Sequence, residues 1–305
     1  MRPRYLGAHF YRMLFWRLAT VVAPGYAILL EYPIDPVPRW GRDKPPHPEL
    51  DAVIRRNMDR YAEHLRAFAA YGDNFSAIAG EDGNDPREPT FLNNFFSGLD
   101  AISLYGFLCL LDPQRFFEVG SGNSTRFARR AIRDHGLRTT ITSCDPQPRA
   151  EIDELCDRVI RQPLESLDVS VITDTLEAGD ILFIDNSHRC FTNSDVTVFF
   201  LEILPRLKPG VVIHVHDILL PDDYPPQWSG RHYSEQYLLA CSLLANAGFE
   251  IMLPNAFVSR ELSLSGLLDD IWKQENMGEA FEYAKTHHLG FGYLGFSFWF
   301  RKSGM

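Results

Sequence analysis

Cysteine is scarce in this chain and poorly placed for joint work. Five cysteines, at positions 109, 144, 156, 190 and 241, are spread along 305 residues. No pair has the close spacing of a zinc site or a redox dithiol. Reduced thiols in a cytoplasmic protein are the expected state. Basic charge is in deficit too: 30 Lys and Arg stand against 40 Asp and Glu, a formal net charge of −10. Affinity for a phosphate backbone rests on clustered Lys and Arg, so no nucleic acid is expected as a partner. A long uncharged apolar run is also missing. The stretch from Met13 to Leu30 is interrupted by Arg17 and by Pro24-Gly25, whereas a spanning helix needs about 20 nearly uncharged residues. No convincing small-residue cleavage site follows it, as a secretory signal would require. The stretch is expected to pack or to face a partner, for example as an arm for homo-oligomers. The alternative is peripheral membrane contact, since Arg2, Arg4, Arg12 and Arg17 accompany Phe10, Leu14, Phe15 and Trp16. Internal repeats and low-complexity tracts are absent.

What is present is ordinary globular material, 45% hydrophobic and 23% charged, in a length that suits one core domain with an extension. The Pro-rich stretch Tyr32 to Pro48 reads as an extended connector. Leu50, Val53, Ile54, Met58, Tyr61, Leu65 and Phe68 recur at steps of mostly three and four, which predicts a helix. Gly80 to Pro89 is a polar loop, and Leu99 to Leu110 a second helix. From Phe116 the chain alternates. Strands are predicted at Phe116 to Val119, Thr139 to Ser143, Arg158 to Arg161, Ile181 to Ile184, Val211 to Val215 and Phe249 to Leu253. Helices are predicted between them at Arg126 to His135, Glu151 to Cys156, Val169 to Leu176, Val196 to Leu204 and Glu235 to Ala247, the last with Ser234 as N-cap and Gly248 as stop. Residues 255–290 form an insertion with the character of a lid. Leu294 to Phe300 is expected as a last strand, antiparallel at an edge of the sheet.

This alternation predicts an α/β fold, a doubly wound and mostly parallel sheet covered on both faces. It would occupy residues 98–305, behind an N-terminal helical extension over residues 1–97. Ligands of such sheets sit outside the carboxyl ends of the strands. The first strand ends in Glu118-Val119-Gly120-Ser121-Gly122-Asn123-Ser124-Thr125. Glycines allow a tight turn and close approach to a ligand, and the helix that follows offers free amides to an anion. Taken alone the loop is an ambiguous turn, since Thr125 stands where a full dinucleotide fingerprint has its third glycine. Asp145 after the second strand can accept hydrogen bonds from a ribose, or else cap a turn before Pro146. Gln162 after the third strand can border an adenine.

In this order the residues resemble the class I S-adenosylmethionine-dependent methyltransferases, over roughly Phe116 to Lys302. The Glu118 to Thr125 loop is similar to their first motif, and Asp145 to their ribose-binding acid. The resemblance implies a Rossmann-like seven-stranded sheet with an antiparallel last strand. It also implies S-adenosylmethionine lying across the loop, among Glu118, Gly120, Ser121, Gly122, Ser124, Thr125, Asp145, Gln162 and Asp185.

The fourth and fifth strands end in Asp185-Asn186-Ser187-His188 and in His214-Val215-His216-Asp217. Adjacent strands would bring these groups together. Asp185, His216 and Asp217 can hold a divalent cation, Mg²⁺ or Mn²⁺, with the imidazole favouring Mn²⁺. The bland alternative makes the histidines strand-end residues bonded to their neighbours and Asp217 a helix cap. His188 can take a proton from a substrate hydroxyl. The pattern is similar to the metal-dependent O-methyltransferases of the catechol and macrocin types (methyltransferase domain 24), with His216 in place of an acid. It implies methyl transfer to a hydroxyl of a small molecule or sugar. Arg231, His232, Tyr233 and Glu235 fall where that acceptor could lie, or in a plain surface loop. Two rival readings are a binding or scaffold protein without catalysis and a nicotinamide-dinucleotide oxidoreductase. The incomplete glycine fingerprint and the Asp185/Asp217 pair count against the second.

Overall fold

The computed structural model describes residues 4–22, 34–81, 85–148, 151–287 and 292–304. The end of the Met13 to Leu30 stretch, the start of the Pro-rich connector and parts of the Gly80 to Pro89 loop and of the 255–290 segment lie outside them. The chain divides into two units, residues 1–37 and 38–305. Among the described residues the first holds the helix Arg4–Val22. No helix among the described residues is long and apolar enough to cross a membrane.

The second unit is built on seven strands: β1 (Arg115–Val119), β2 (Thr140–Cys144), β3 (Arg158–Ile160), β4 (Ile181–Ile184), β5 (Val212–Val215), β6 (Phe249–Pro254) and β7 (Phe298–Lys302). They lie in the order β3-β2-β1-β4-β5-β7-β6. The pairs from β3 through β5 are parallel, and β7 runs antiparallel to both β5 and β6. The central strands β4 and β5 are buried along their whole length. β4 is a continuous apolar run and β5 is one broken by the buried His214, because helices cover both faces of a parallel sheet.

Two expectations about the last strand need correction. It lies inside the sheet, between β5 and β6, and not at an edge. Phe298, Trp299 and Phe300 are all buried, so β7 is apolar on both of its faces, as an interior strand must be. The ladder also starts at Phe298 rather than at Leu294. The amides of Phe296 and Ser297 donate instead to the carboxylate of Asp100, at 2.9 and 2.7 Å.

The helix Leu99–Leu111 is buried on every side as far as Leu108. Beside it, Asn123–His135 buries Phe127, Ala128, Ala131 and Ile132, keeps arginines on its outer face, and stops at Gly136 in the left-handed conformation. The helix expected over residues 50–68 is two helices, Pro48–Arg55 and Met58–Phe68. At the break, Asn57 donates from its amide to the Ile251 carbonyl at 3.1 Å. The segment after β6 is helical at Asn255–Arg260, Leu262–Ser265, Asp269–Trp272 and Met277–His287. Through Val258, Leu268, Ile271, Met277 and Ala284 it joins the hydrophobic core that also holds Leu50, Tyr61, Phe75, Ile102 and Ile213.

Candidate active site

The strand ends are tied in a row by backbone hydrogen bonds. Gly120 donates to Cys144 at 3.1 Å, Asp185 to Val119 at 2.9 Å, and His216 to Ile184 at 2.9 Å. Parallel register therefore brings Gly120, Asp145, Asp185, His216 and Asp217 to one end of the sheet, where they line a single cleft of about 620 Å³. Gly120 is required there. Its φ is +79°, and a Cβ would stand 1.8 Å from the carbonyl oxygen of Asp185.

One half of the cleft is walled by Gly120, Ser121, Asp145, Gln147, Pro163 and Glu165. The Asp145 carboxylate is fixed by the amides of Ser121, at 2.9 Å, and Gln147, at 2.8 Å. An ionised carboxylate has about four acceptor positions, so capacity remains for a diol. Glu118, Gly122, Ser124, Thr125 and Gln162 are not on the wall. Glu118 is fully buried, and both its oxygens accept hydroxyl hydrogen bonds, from Ser124 and Thr125. It pins the loop to the helix that follows rather than pointing to the cleft. Burial pushes its carboxyl up to about 8, against the pull of the two hydroxyls. The Gln162 carbonyl accepts from the Cys144 thiol at 3.6 Å, and the residues just after it form the wall.

At the centre, two imidazoles alternate with two carboxylates. His188 Nε2 lies 3.3 Å from Asp185 Oδ1 and 3.4 Å from Asp217 Oδ2. His216 Nδ1 lies 3.6 Å from Oδ1 of each of the same two acids. The far nitrogen of each ring meets a fully buried acid: His188 Nδ1 is 2.9 Å from Glu235 Oε2, and His216 Nε2 is 3.3 Å from Asp100 Oδ2. His188 and Asp217 have φ of +59° and +55°. Such backbone is rare outside glycine, and these outliers cluster at functional sites.

Burial alone would strip the proton from His188. The charge of Asp217 and the contacts with Asp185 and Glu235 outweigh it, and the ring's pKa is raised well above its ordinary value. Burial opposes the proton on His216 too, but Asp185, Asp217 and Asp100 raise its pKa likewise. Asp185 moves the other way: burial would raise it, and the His216 and His188 charges bring it far below the usual carboxylate range. The surrounding acids thus favour the protonated form of both rings. His214 is the opposite case. Burial, then the charge of His216, pushes it well down. It is a neutral core residue stacked 3.8 Å from the Phe183 ring centroid and 2.7 Å from Ser297 Oγ.

The expected cation set, Asp185, His216 and Asp217, does not fit a metal in this state. Among the described residues no group of three or more His, Cys, Asp or Glu side chains is arranged to hold one. His216 meets Asp185 and Asp217 at Nδ1 and Asp100 at Nε2, so the imidazole and carboxylates of that set already bond one another.

The other half of the cleft is walled by Asn94, Phe95, Arg189, Trp228, Arg231, Tyr233 and Phe296. The Tyr233 ring lies 4.7 Å from His188 and 5.5 Å from Trp228, and Phe296 lies 5.6 Å from Trp228.

Residues 117–218, from β1 to just past Asp217, match the family described as Methyltransferase domain. The chain carries a methyltransferase domain. No curated protein matches it. Among solved structures, it is similar to the plantazolicin methyltransferase BamL in complex with a triazolic desmethylPZN analog and SAH. Identity there is 13% over 84% of this chain and 100% of that one, with a TM-score of 0.38. It is also similar to the SAH-bound Podospora anserina methyltransferase PaMTH1, at 14% identity over 66% and 89%, TM-score 0.37. A third is the [4+2]-cyclase SpnF, at 19% identity over 78% and 94%, TM-score 0.34. At TM-scores this low the likenesses have no bearing on the site.

Two acids that hold the histidines of the methyltransferase domain were not picked out as such from sequence. Asp100 opens the apolar helix Leu99–Leu111, where an acid is also favoured by the helix dipole. Its carboxylate additionally accepts from Asn255 Nδ2 at 2.8 Å. Glu235 opens the helix Glu235–Leu244 in the same way and drew notice only as a polar residue near the acceptor. Ser234, expected as the side-chain cap of that helix, uses its hydroxyl to accept from the Cys190 amide at 2.9 Å instead.

Proposed function

We propose that the methyltransferase domain moves a methyl group from S-adenosylmethionine to the oxygen of a hydroxyl on a small molecule or sugar. The observation that carries this reading is that the Asp145 wall and the His188 group share one cleft. The ribose hydroxyls would bond Asp145, and the sulfonium would lie near the acidic centre formed by Asp185 and Asp217. In the transfer the bond from sulfur to the methyl carbon breaks as the bond from carbon to the acceptor oxygen forms. The hydroxyl proton goes to His188 Nε2. Glu235, at Nδ1, fixes the ring and keeps that nitrogen the protonated one. Positioning donor and acceptor in line supplies much of the rate. Since the acids around His188 raise its pKa, its base form gains as pH rises, and turnover rises with it.

The test is transfer of labelled methyl to a panel of hydroxyl compounds, with His188→Ala as the variant. It should keep its affinity for S-adenosylhomocysteine and lose about 100-fold or more in turnover. Undiminished turnover would remove His188 from the reaction. Binding of NAD in place of S-adenosylhomocysteine would overturn the cofactor assignment.

A further inference from the structure

We propose that Arg189 and Arg231 form a clamp for an anionic group, a carboxylate or a phosphate, carried by the methyl acceptor. The proposal rests on the reading of this cleft as a methyl-transfer site. Several arginines of the fold are tied to acids, as Arg115 is to Asp180 and Arg130 to Asp134, while Arg126 bonds the neutral Asn123. Among the described residues neither Arg189 nor Arg231 forms an ion pair, although both line the cleft of a chain with a net charge of −10. Their guanidinium groups are held in place by neutral partners. Arg231 lies over the rings of Trp228 and Tyr233, at 4.8 and 5.5 Å, and donates to the Tyr233 hydroxyl at 3.3 Å. Arg189 lies over Tyr233 at 5.3 Å. It donates from Nε to the Arg231 carbonyl at 2.8 Å and from Nη1 to the Ser187 carbonyl at 3.2 Å.

A guanidinium has five N–H donors in a planar fork that matches a carboxylate or phosphate. Stacking on an aromatic face holds that fork flat, and the side-chain entropy is lost before the ligand arrives. Two such forks gathered around one tyrosine make a site for an anion. The lining carries acids as well: Asp185 and Asp217 meet His188, Asp145 accepts from the amides of Ser121 and Gln147, and Asp195 is taken up by the amide and hydroxyl of Ser187. An acceptor bearing an anion at a distance from its hydroxyl would place that hydroxyl inward, toward His188.

The test is calorimetric titration of the full chain, saturated with S-adenosylhomocysteine, with two matched pairs of probes. These are 3,4-dihydroxybenzoate with 3,4-dihydroxybenzyl alcohol, and glucose 6-phosphate with glucose. One anion should bind at least about tenfold more tightly than its neutral partner, and which one does tells carboxylate from phosphate. Arg189→Gln and Arg231→Gln should each remove most of that preference, with melting temperatures and S-adenosylhomocysteine affinity unchanged. The clamp is wrong if neither anion is preferred, or if the preference survives both substitutions. It is also wrong if the substitutions weaken S-adenosylhomocysteine, since the arginines would then be holding the cofactor's own carboxylate. Failure of the parent protein to bind S-adenosylhomocysteine would overturn the methyl-transfer reading instead, and the same titrations without it would still judge the clamp.

Discussion

Replacing Glu118 with Gln should make the stability of the fold less sensitive to pH. In the unfolded chain this carboxyl titrates at its ordinary value of 4.5, and in the fold burial holds it at about 8. Between those values the native protein keeps a proton that the unfolded chain has lost, so stability falls as pH rises. At about 1.4 kcal/mol per pH unit, the loss from about pH 5 to about pH 7.5 is roughly 3 kcal/mol. That is a large part of the typical 5–15 kcal/mol of a folded domain. Glutamine has the same shape, never ionises, and can still bond the hydroxyls of Ser124 and Thr125. In urea melts near pH 5 the parent and Glu118→Gln proteins should unfold at nearly the same concentration. Near pH 7.5 the variant should be the more stable by roughly 3 kcal/mol. His188 and His216 act in the same direction, because their raised pKa values give stability that is present at low pH and lost as pH climbs through them. Both proteins contain them, so they cancel in the difference. A difference that stays constant with pH, or one in which the parent gains on the variant as pH rises, would refute the assignment of a buried protonated acid under the loop.

Other substitutions probe the row of strand ends. Gly120→Ala forces a side chain into left-handed backbone, at about 1–2 kcal/mol, and against the Asp185 carbonyl. It should abolish S-adenosylhomocysteine binding and lower the melting temperature, so retained affinity in a titration would show that the turn is not needed. Glu235→Gln removes one of the charges that raise the pKa of His188, so the rising limb of turnover against pH should move to lower pH. An unmoved limb would detach His188 from the rate. Dialysis against EDTA should leave methyl transfer intact, and loss of activity restored by Mn²⁺ would mean that the two rings give up their protons to a metal.

The parts of this fold that were legible in the sequence are those fixed by local pattern. The run Ile181 to Ile184, bounded by Asp180 and Asp185, reads as a buried strand and is one. The acids and histidines at the ends of β4 and β5 were legible because parallel neighbours put strand ends together. Pairing across long separations was not. Nothing in the alternation around Phe296, Phe298 and Phe300 says that β7 enters between β5 and β6, or that residues 296 and 297 give their amides to a carboxylate almost 200 positions earlier. The direction of a side chain was equally hidden. Glu118 precedes the glycine loop as an acid at the cofactor would, yet its place in β1 turns it inward to the loop's own hydroxyls. Asp100 looks like any acid at a helix start until the tertiary fold brings His216, Asn255, Phe296 and Ser297 to it.

The position of β7 also ties the closing of the sheet to the cleft. Among the described residues β6 borders no strand but β7, so without residues 298–302 β6 has no ladder to join and the outer edge of β5 stays open. The residues just ahead of β7 are the ones that anchor Asp100, and Asp100 in turn holds His216. Sealing of the sheet and support of His216 therefore depend on one stretch of chain, residues 296–302. A chain cut before residue 296 would leave the outer edge of β5 and both edges of β6 bare, and Asp100 without the two amides that hold it beneath His216.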